Sequence, residues 1–142
     1  MSKSDVFEND LLKLIFNGTP IAGIADNAAA STLGNLYLSL HTADPGEGGS
    51  QTTSEVNYTG YARAAVARSA AGWTVAGNTA SLTAAISFPA GTAGSGTAGY
   101  FAVGTAAAGA GKILYSGPLA PTIATGNGVT PQLGAGTTIT ED

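Results

Sequence analysis

Apolar side chains alternate with polar or small ones over short runs, and glycine or proline cuts each run before it grows long. The first run follows the turn signal Gly34-Asn35. Leu36, Leu38 and Leu40 share one face, while Tyr37, Ser39 and His41 share the other. That period of two predicts a half-buried strand. Ala62, Ala64 and Val66 then oppose Tyr61, Arg63 and Ala65, and Ala71-Gly72 leads into Trp73, Thr74 and Val75. Gly77-Asn78 is a hairpin-type turn. After it, Ala80, Leu82, Ala84, Ile86 and Phe88 predict one long strand that Pro89 ends. Further strands are predicted at residues 100–103 and 112–116, the latter closed by Gly117-Pro118. Weaker ones fall at 122–124, 129–133 and 137–140. Residues 91–99 and 104–111 are small-residue loops by the same reading. Regularly spaced short strands with Gly/Pro turns predict a mainly β fold, an antiparallel β-sandwich or small jelly roll.

One helix precedes the strands, at about residues 4–17. Ser4 is a suitable N-cap. Phe7, Leu11, Leu14 and Ile15 follow the spacing of one buried face. Asp5 and Glu8 near the start and Lys13 near the end suit the helix dipole, and Asn17-Gly18 with Pro20 stops the helix. Such a helix covers its own sheet or docks on a neighbouring subunit. Residues 19–33 form a connection, with a short helical turn expected at 27–30.

The strand at Leu36 runs into a polar stretch whose turn chemistry is explicit. Asp44 can bond the backbone ahead of it, Pro45 fixes φ, and Gly46 accepts a positive φ. Residues 42–55 are expected as a flexible polar loop, with order returning at Val56. Asp44 is expected to hold this loop, first by accepting from nearby backbone N–H groups and second by pairing with Arg63.

A chain of 142 residues with no cysteine is one domain's length and can fold without staples. The whole of residues 1–142 is expected to form one β-rich domain. Charged residues are 10%, apolar residues 44%, and glycine numbers 21, which is not a disordered composition. Few charges suit a thin sheet protein covered by neighbours. A Thr/Ala-rich soluble surface reads the same way. The net charge of −4, with five scattered Lys and Arg, argues against a nucleic-acid interface. Asp5, Glu8 and Asp10 interrupt any signal-peptide core. No apolar run approaches the ~20 residues that span a bilayer. Assembly in the cytoplasm of the producing cell is the expectation.

The candidate chemistry is sparse. His41 is the single histidine, and His41 with Asp44 lacks the further ligands of a metal site. A serine hydrolase would have to use His41, but no Gly-x-Ser-x-Gly elbow is present. Residues 104–112 resemble a phosphate loop superficially. However, Ala106 and Ile113 stand where that motif needs Gly and Ser or Thr. No paired-carboxylate motif for glycoside hydrolysis is recognisable. No cofactor and no catalysis are expected. Tyr37, Tyr58, Tyr61, Tyr100, Tyr115 and Trp73 suit core and subunit contacts better than a sugar-binding surface.

The stretch NLYLSLHTADPGEGG, followed by YTGYARAAVAR, resembles a family of small tailed-bacteriophage virion proteins. FNGTPIAGIADNAAAS, GKILYSGPL and the closing TITED extend the resemblance over residues 11–142. Members are often labelled tail fibre proteins, and others resemble capsid decoration (cement) proteins. The resemblance implies a non-enzymatic virion component, with His41, Asp44, Pro45, Gly46, Tyr61 and Arg63 as its structural motif. The first expectation is a capsid decoration protein. It would dock as a homo-oligomer, a trimer, on the major capsid protein. The alternative is a tail or fibre-associated protein that helps bind host-surface glycans. A compact chain with no coiled-coil heptads places the shell reading first. No nucleic acid and no membrane insertion enter either reading.

Overall fold

The computed structural model describes residues 3–21, 25 and 34–141. In chain order the elements are helix α1 (Asp5–Leu12), a π-helical turn (Lys13–Asn17), and strands β1 (Asn35–His41), β2 (Ala64–Ala67) and β3 (Trp73–Ala76). They continue as β4 (Thr79–Leu82), β5 (Ile86–Ser87), β6 (Ser95–Gly104), β7 (Ile113–Gly126), β8 (Gln132–Leu133) and β9 (Thr138–Thr140). The fold class is the expected one: mainly β, with antiparallel ladders and, among the described residues, one short N-terminal helix. The turn expected at residues 27–30 lies outside the described residues. The chain divides into two compact units, one of residues 1–35, 66–85 and 134–142, the other of residues 36–65 and 86–133.

The first unit holds α1, its π-helical extension and the sheet β3-β4-β9. Ser4 caps α1 by accepting from Phe7 N–H at 3.4 Å, and Gly18 ends the helical run in the left-handed region at φ 65°. The buried row is Glu8, Leu12 and Phe16, not Phe7, Leu11, Leu14 and Ile15. Phe7 stays 38% exposed. The rotation is set by tertiary bonds that periodicity does not reveal. Asn9 Nδ2 donates to Gly77 O, Asn17 Nδ2 donates to Trp73 O at 3.1 Å, and the Phe16 and Trp73 rings lie 4.6 Å apart. Arg68, rather than Lys13 alone, answers the helix C-terminus: its Nε donates to Ile15 O at 2.6 Å and its Nη2 to Leu14 O. The hairpin at Gly77-Asn78 is as expected, with Ala76 opposite Thr79 and Gly77 at φ 59°.

The second unit is built on the sheet ordered β2-β1-β6-β7, with the pair β5-β8 beside it in sequence. The chain enters the first unit through β2, whose Ala64 and Val66 are buried while Ala65 and Ala67 are exposed. Three sequence expectations change. The long strand from Thr79 to Phe88 is broken at residues 83–85. β4 pairs with β3 and β9, while β5 pairs with β8, and the Thr-Ala-Ala link lacks apolar bulk to hold one continuous ladder. The small-residue loop at 91–99 is half strand, because Ser95, Gly96, Thr97 and Ala98 pair with Gly126, Thr125, Ala124 and Ile123. Here the partner strand supplies what local propensity lacks. Finally, β7 does not stop at Gly117-Pro118 but runs 14 residues through Pro118 and Pro121. It is an edge strand, where a missing N–H need not break a ladder.

Candidate functional site

Strand β1 was expected to be half-buried, with a wet polar face. Instead Ser39 and His41 are both 0% exposed, alongside Leu38 and Leu40. β1 lies between β2 and β6, and the returning chain pairs with its end. Val56 N–H donates to Leu40 O and Thr42 N–H to Ser54 O, both at 2.9 Å or less. His41 and Glu55 form an antiparallel bridge. The stretch expected as a flexible loop is therefore bonded back onto the strand it leaves.

Both ring nitrogens of His41 are engaged. Nδ1 lies 2.8 Å from Thr53 O and Nε2 lies 2.9 Å from Ser39 Oγ. A carbonyl only accepts, so Nδ1 carries the proton. Burial favours the neutral imidazole, in which Nε2 accepts from the Ser39 hydroxyl. Burial lowers its pKa, opposed by the Thr53 bond and by the nearby Glu55 charge, and the Arg63 charge lowers it further. The Ser39–His41 contact has the spacing of a nucleophile and its base. Its orienting group is a backbone carbonyl rather than a carboxylate, and both side chains are sealed from solvent. The arrangement serves as a hydrogen-bonded core element.

Beside it lies an ion pair that the sequence did not suggest. Arg63 Nε and Nη2 donate to Glu55 Oε1 and Oε2 at 2.7 and 2.8 Å, with the two side chains 3% and 15% exposed. The partner of Arg63 is thus Glu55, not Asp44. Bridging to His41 places Glu55 next to the guanidinium. The Glu55 bonds raise the Arg63 pKa, against a smaller lowering by burial. Arg63 also donates from Nη1 to Ala106 O and from Nη2 to Gly109 O, at 2.9 and 2.8 Å. The Tyr61 hydroxyl donates to Glu55 Oε1 at 2.9 Å and accepts from Leu40 N–H at 3.2 Å. Burial above all pushes its pKa up, and Glu55 adds to the shift.

Gln51 closes the cluster and is likewise 0% exposed. Its backbone N–H donates to Gly111 O at 2.9 Å. Its Nε2 donates to Tyr37 O at 3.3 Å, and its Oε1 accepts from Ala106 N–H at 3.0 Å. The glycines around it are required: a Cβ on Gly104 or Gly111 would sit 2.1 Å from the Gln51 side chain. Sequence reading missed Gln51, Thr53 and Glu55, which look like any polar loop residues. The spacing of Gly104 and Gly111 was the one available hint.

Of the motif residues, the structure brings His41, Tyr61 and Arg63 into this latch. Asp44, Pro45 and Gly46 lie apart from it, in an exposed turn where Asp44 Oδ1 accepts from Gly46 N–H at 2.9 Å. Among the aromatics, Tyr58 and Tyr61 meet edge-on at 5.4 Å and Tyr61 stacks on Phe88 at 6.2 Å. Among the described residues no group of three or more His, Cys, Asp or Glu side chains is placed to hold a metal ion. No helix among them is long and apolar enough to cross a membrane.

A family profile described as podophage GP4 fiber I protein gp80 matches residues 2–139. The chain belongs to the gp80 fiber family. No curated protein matches it. Membership of the gp80 family makes it a phage fibre-type structural protein, which favours the fibre alternative over the shell reading placed first above.

Proposed function

We propose that this gp80-family chain is a non-enzymatic module of a phage tail fibre, made in the host cytoplasm and contributing to attachment at the host surface. The family match over residues 2–139 carries the reading. The latch supports it. Buried polar side chains are spent on fixing the backbone of residues 42–63 and 105–111 in place, which suits a rigid display module. A closed homo-oligomer, with three copies the expected number, belongs to the same reading, since most assemblies of one chain close on themselves.

The test is location. Gold labelling of a tagged chain on intact virions should decorate the tail, in few copies per particle. Labelling spread over the shell in many copies would return the decoration reading. Sedimentation at micromolar concentration tests self-association, and a strict monomer both free and on the virion would count against it.

A further inference from the structure

The register of the main sheet fixes which backbone groups of β7 face outward. Leu40 turns both of its main-chain groups away from β6: its carbonyl accepts from Val56 N–H at 2.9 Å, and its N–H donates to the Tyr61 hydroxyl at 3.2 Å. Opposed residues of an antiparallel ladder alternate between pairs that exchange both bonds and pairs that exchange none. Leu40 and Phe101 are opposed and exchange none, so Phe101 turns its own groups to Gly117 of β7. Ser116 and Pro118, opposite Ala102 and Tyr100, then face away from β6. Pro118 therefore breaks no ladder bond and offers no outward donor, whereas Ser116 presents both N–H and C=O outward. Among the described residues no strand follows β7 in the sheet. The chain itself only begins that next position, where Ser50 bridges Lys112 and Gln51 N–H donates to Gly111 O at 2.9 Å. The residues before Ser50 turn away, with Gly49 N–H on Gly46 O at 3.1 Å. A groove of about 400 Å³ opens there, between Asp44, Gly46 and Glu47 on one side and residues 113–116 on the other.

We propose that this groove takes an extended segment of a different protein, which adds a strand to the edge of β7 at Ser116 and sets a lysine or arginine against Asp44 and Glu47. Strand addition draws affinity from main-chain bonds and specificity from side chains. Ser50 gives the line of the added strand, antiparallel to β7, and Pro118 marks where its pairing ends. The groove lining includes two carboxylates and no cation, so it favours a basic side chain. A second copy of this chain does not supply one. Its Lys and Arg stand only at positions 3, 13, 63, 68 and 112. Lys3 pairs with Glu141, while Arg63 and Arg68 hold carbonyls within the fold. Lys13 lies in the π-helical turn, and Lys112 is engaged along its backbone with Ser50 and Thr105. The pairing does not depend on the attachment reading above.

Amide NMR spectra of the purified chain, titrated with short strand-forming peptides that carry a central lysine or glutamate, test this. The lysine peptide should shift the Ser116 amide and bind about tenfold more tightly than the glutamate peptide, and Glu47→Lys should reverse that preference. Ser116→Pro removes the outward N–H without breaking a ladder bond, as Pro118 does, and should weaken binding about tenfold while the melting temperature holds. Ser116→Ala keeps the main chain and should bind as the wild type does. Methylating the peptide nitrogen that meets Ser116 should abolish binding, and methylating its neighbour should not. Should Ser116→Pro fail to fold, the methylated peptides decide the matter. No binding of the lysine peptide overturns the proposal, as does undiminished binding by folded Ser116→Pro or by the methylated peptide. Equal binding of the lysine and glutamate peptides overturns the basic partner. Self-association of the chain that Glu47→Lys abolishes would give the groove to a second copy and overturn the assignment to a different protein.

Discussion

Arg63 grips Glu55 through two parallel hydrogen bonds of 2.7 and 2.8 Å, and the same guanidinium holds the carbonyls of Ala106 and Gly109. One buried cation therefore joins the end of the 42–55 stretch to the loop between β6 and β7. Arg63→Ala strands a largely buried carboxylate and two carbonyls, and should cost about 3–5 kcal/mol. Arg63→Lys keeps the charge but not the fork, and should recover only part of that. Urea unfolding checks the ranking. A loss in Arg63→Ala no larger than that of an exposed surface change would show that the pair is not a latch.

The neutral His41 gives stability a defined pH dependence. In the unfolded chain the imidazole takes a proton near pH ~6.5, whereas in the folded chain its pKa is lower. Between those values the unfolded state binds more protons, so stability is full above pH ~6.5 and falls as the pH drops toward the folded pKa. His41→Gln should lower stability at neutral pH and flatten the slope just below pH ~6.5. Melting temperatures from pH 8 to 5 measure both effects, and an unchanged slope in the variant would remove His41 as its source.

Gln51 and its two glycines should behave as a coupled set. Gly104→Ala places a Cβ against the Gln51 side chain and should cost about 1–3 kcal/mol through overpacking. Gln51→Ala frees that space but leaves Ala106 N–H without its acceptor, at about 1–3 kcal/mol. The double variant should be less destabilised than the sum, by more than the ~0.5 kcal/mol within which distant sites add. Simple additivity would contradict the contact.

Asp44 has the smaller structural role. Its one bond closes an exposed turn, so Asp44→Ala should cost about 0.5–1.5 kcal/mol and Asp44→Asn less, because one acceptor oxygen remains. Both should fall below Arg63→Ala, the reverse of the order expected if bonds from Asp44 to nearby backbone N–H groups were the main hold on the loop. Thermal unfolding of the three variants decides the order.

What the sequence showed and what it hid have physical reasons. Leu36, Leu38 and Leu40 announced a strand, and all three are buried. Ser39 and His41 are buried as well, and the bond from His41 to Thr53 O reaches a later segment that alternation within one strand cannot report. Phe7 and Leu12 compete for the inner helix face on nearly equal periodicity, and the bonds of Asn9 and Asn17 to the β3–β4 hairpin decide it. Pro118 reads as a stop unless the strand is known to be an edge. Asp44 was the visible carboxylate because Pro and Gly follow it. Glu55 became the partner of Arg63 only through strand pairing, which acts across sequence distance.

Arg63 and Gln51 grip the loop between β6 and β7 through its main chain. Arg63 takes the carbonyls of Ala106 and Gly109, and Gln51 takes the N–H of Ala106 and the carbonyl of Gly111. The exposed side chains at positions 107, 108 and 110 carry none of those bonds. The loop can thus change its chemical character at these positions while keeping its path, so that variety at the surface and constancy of shape are assigned to different atoms.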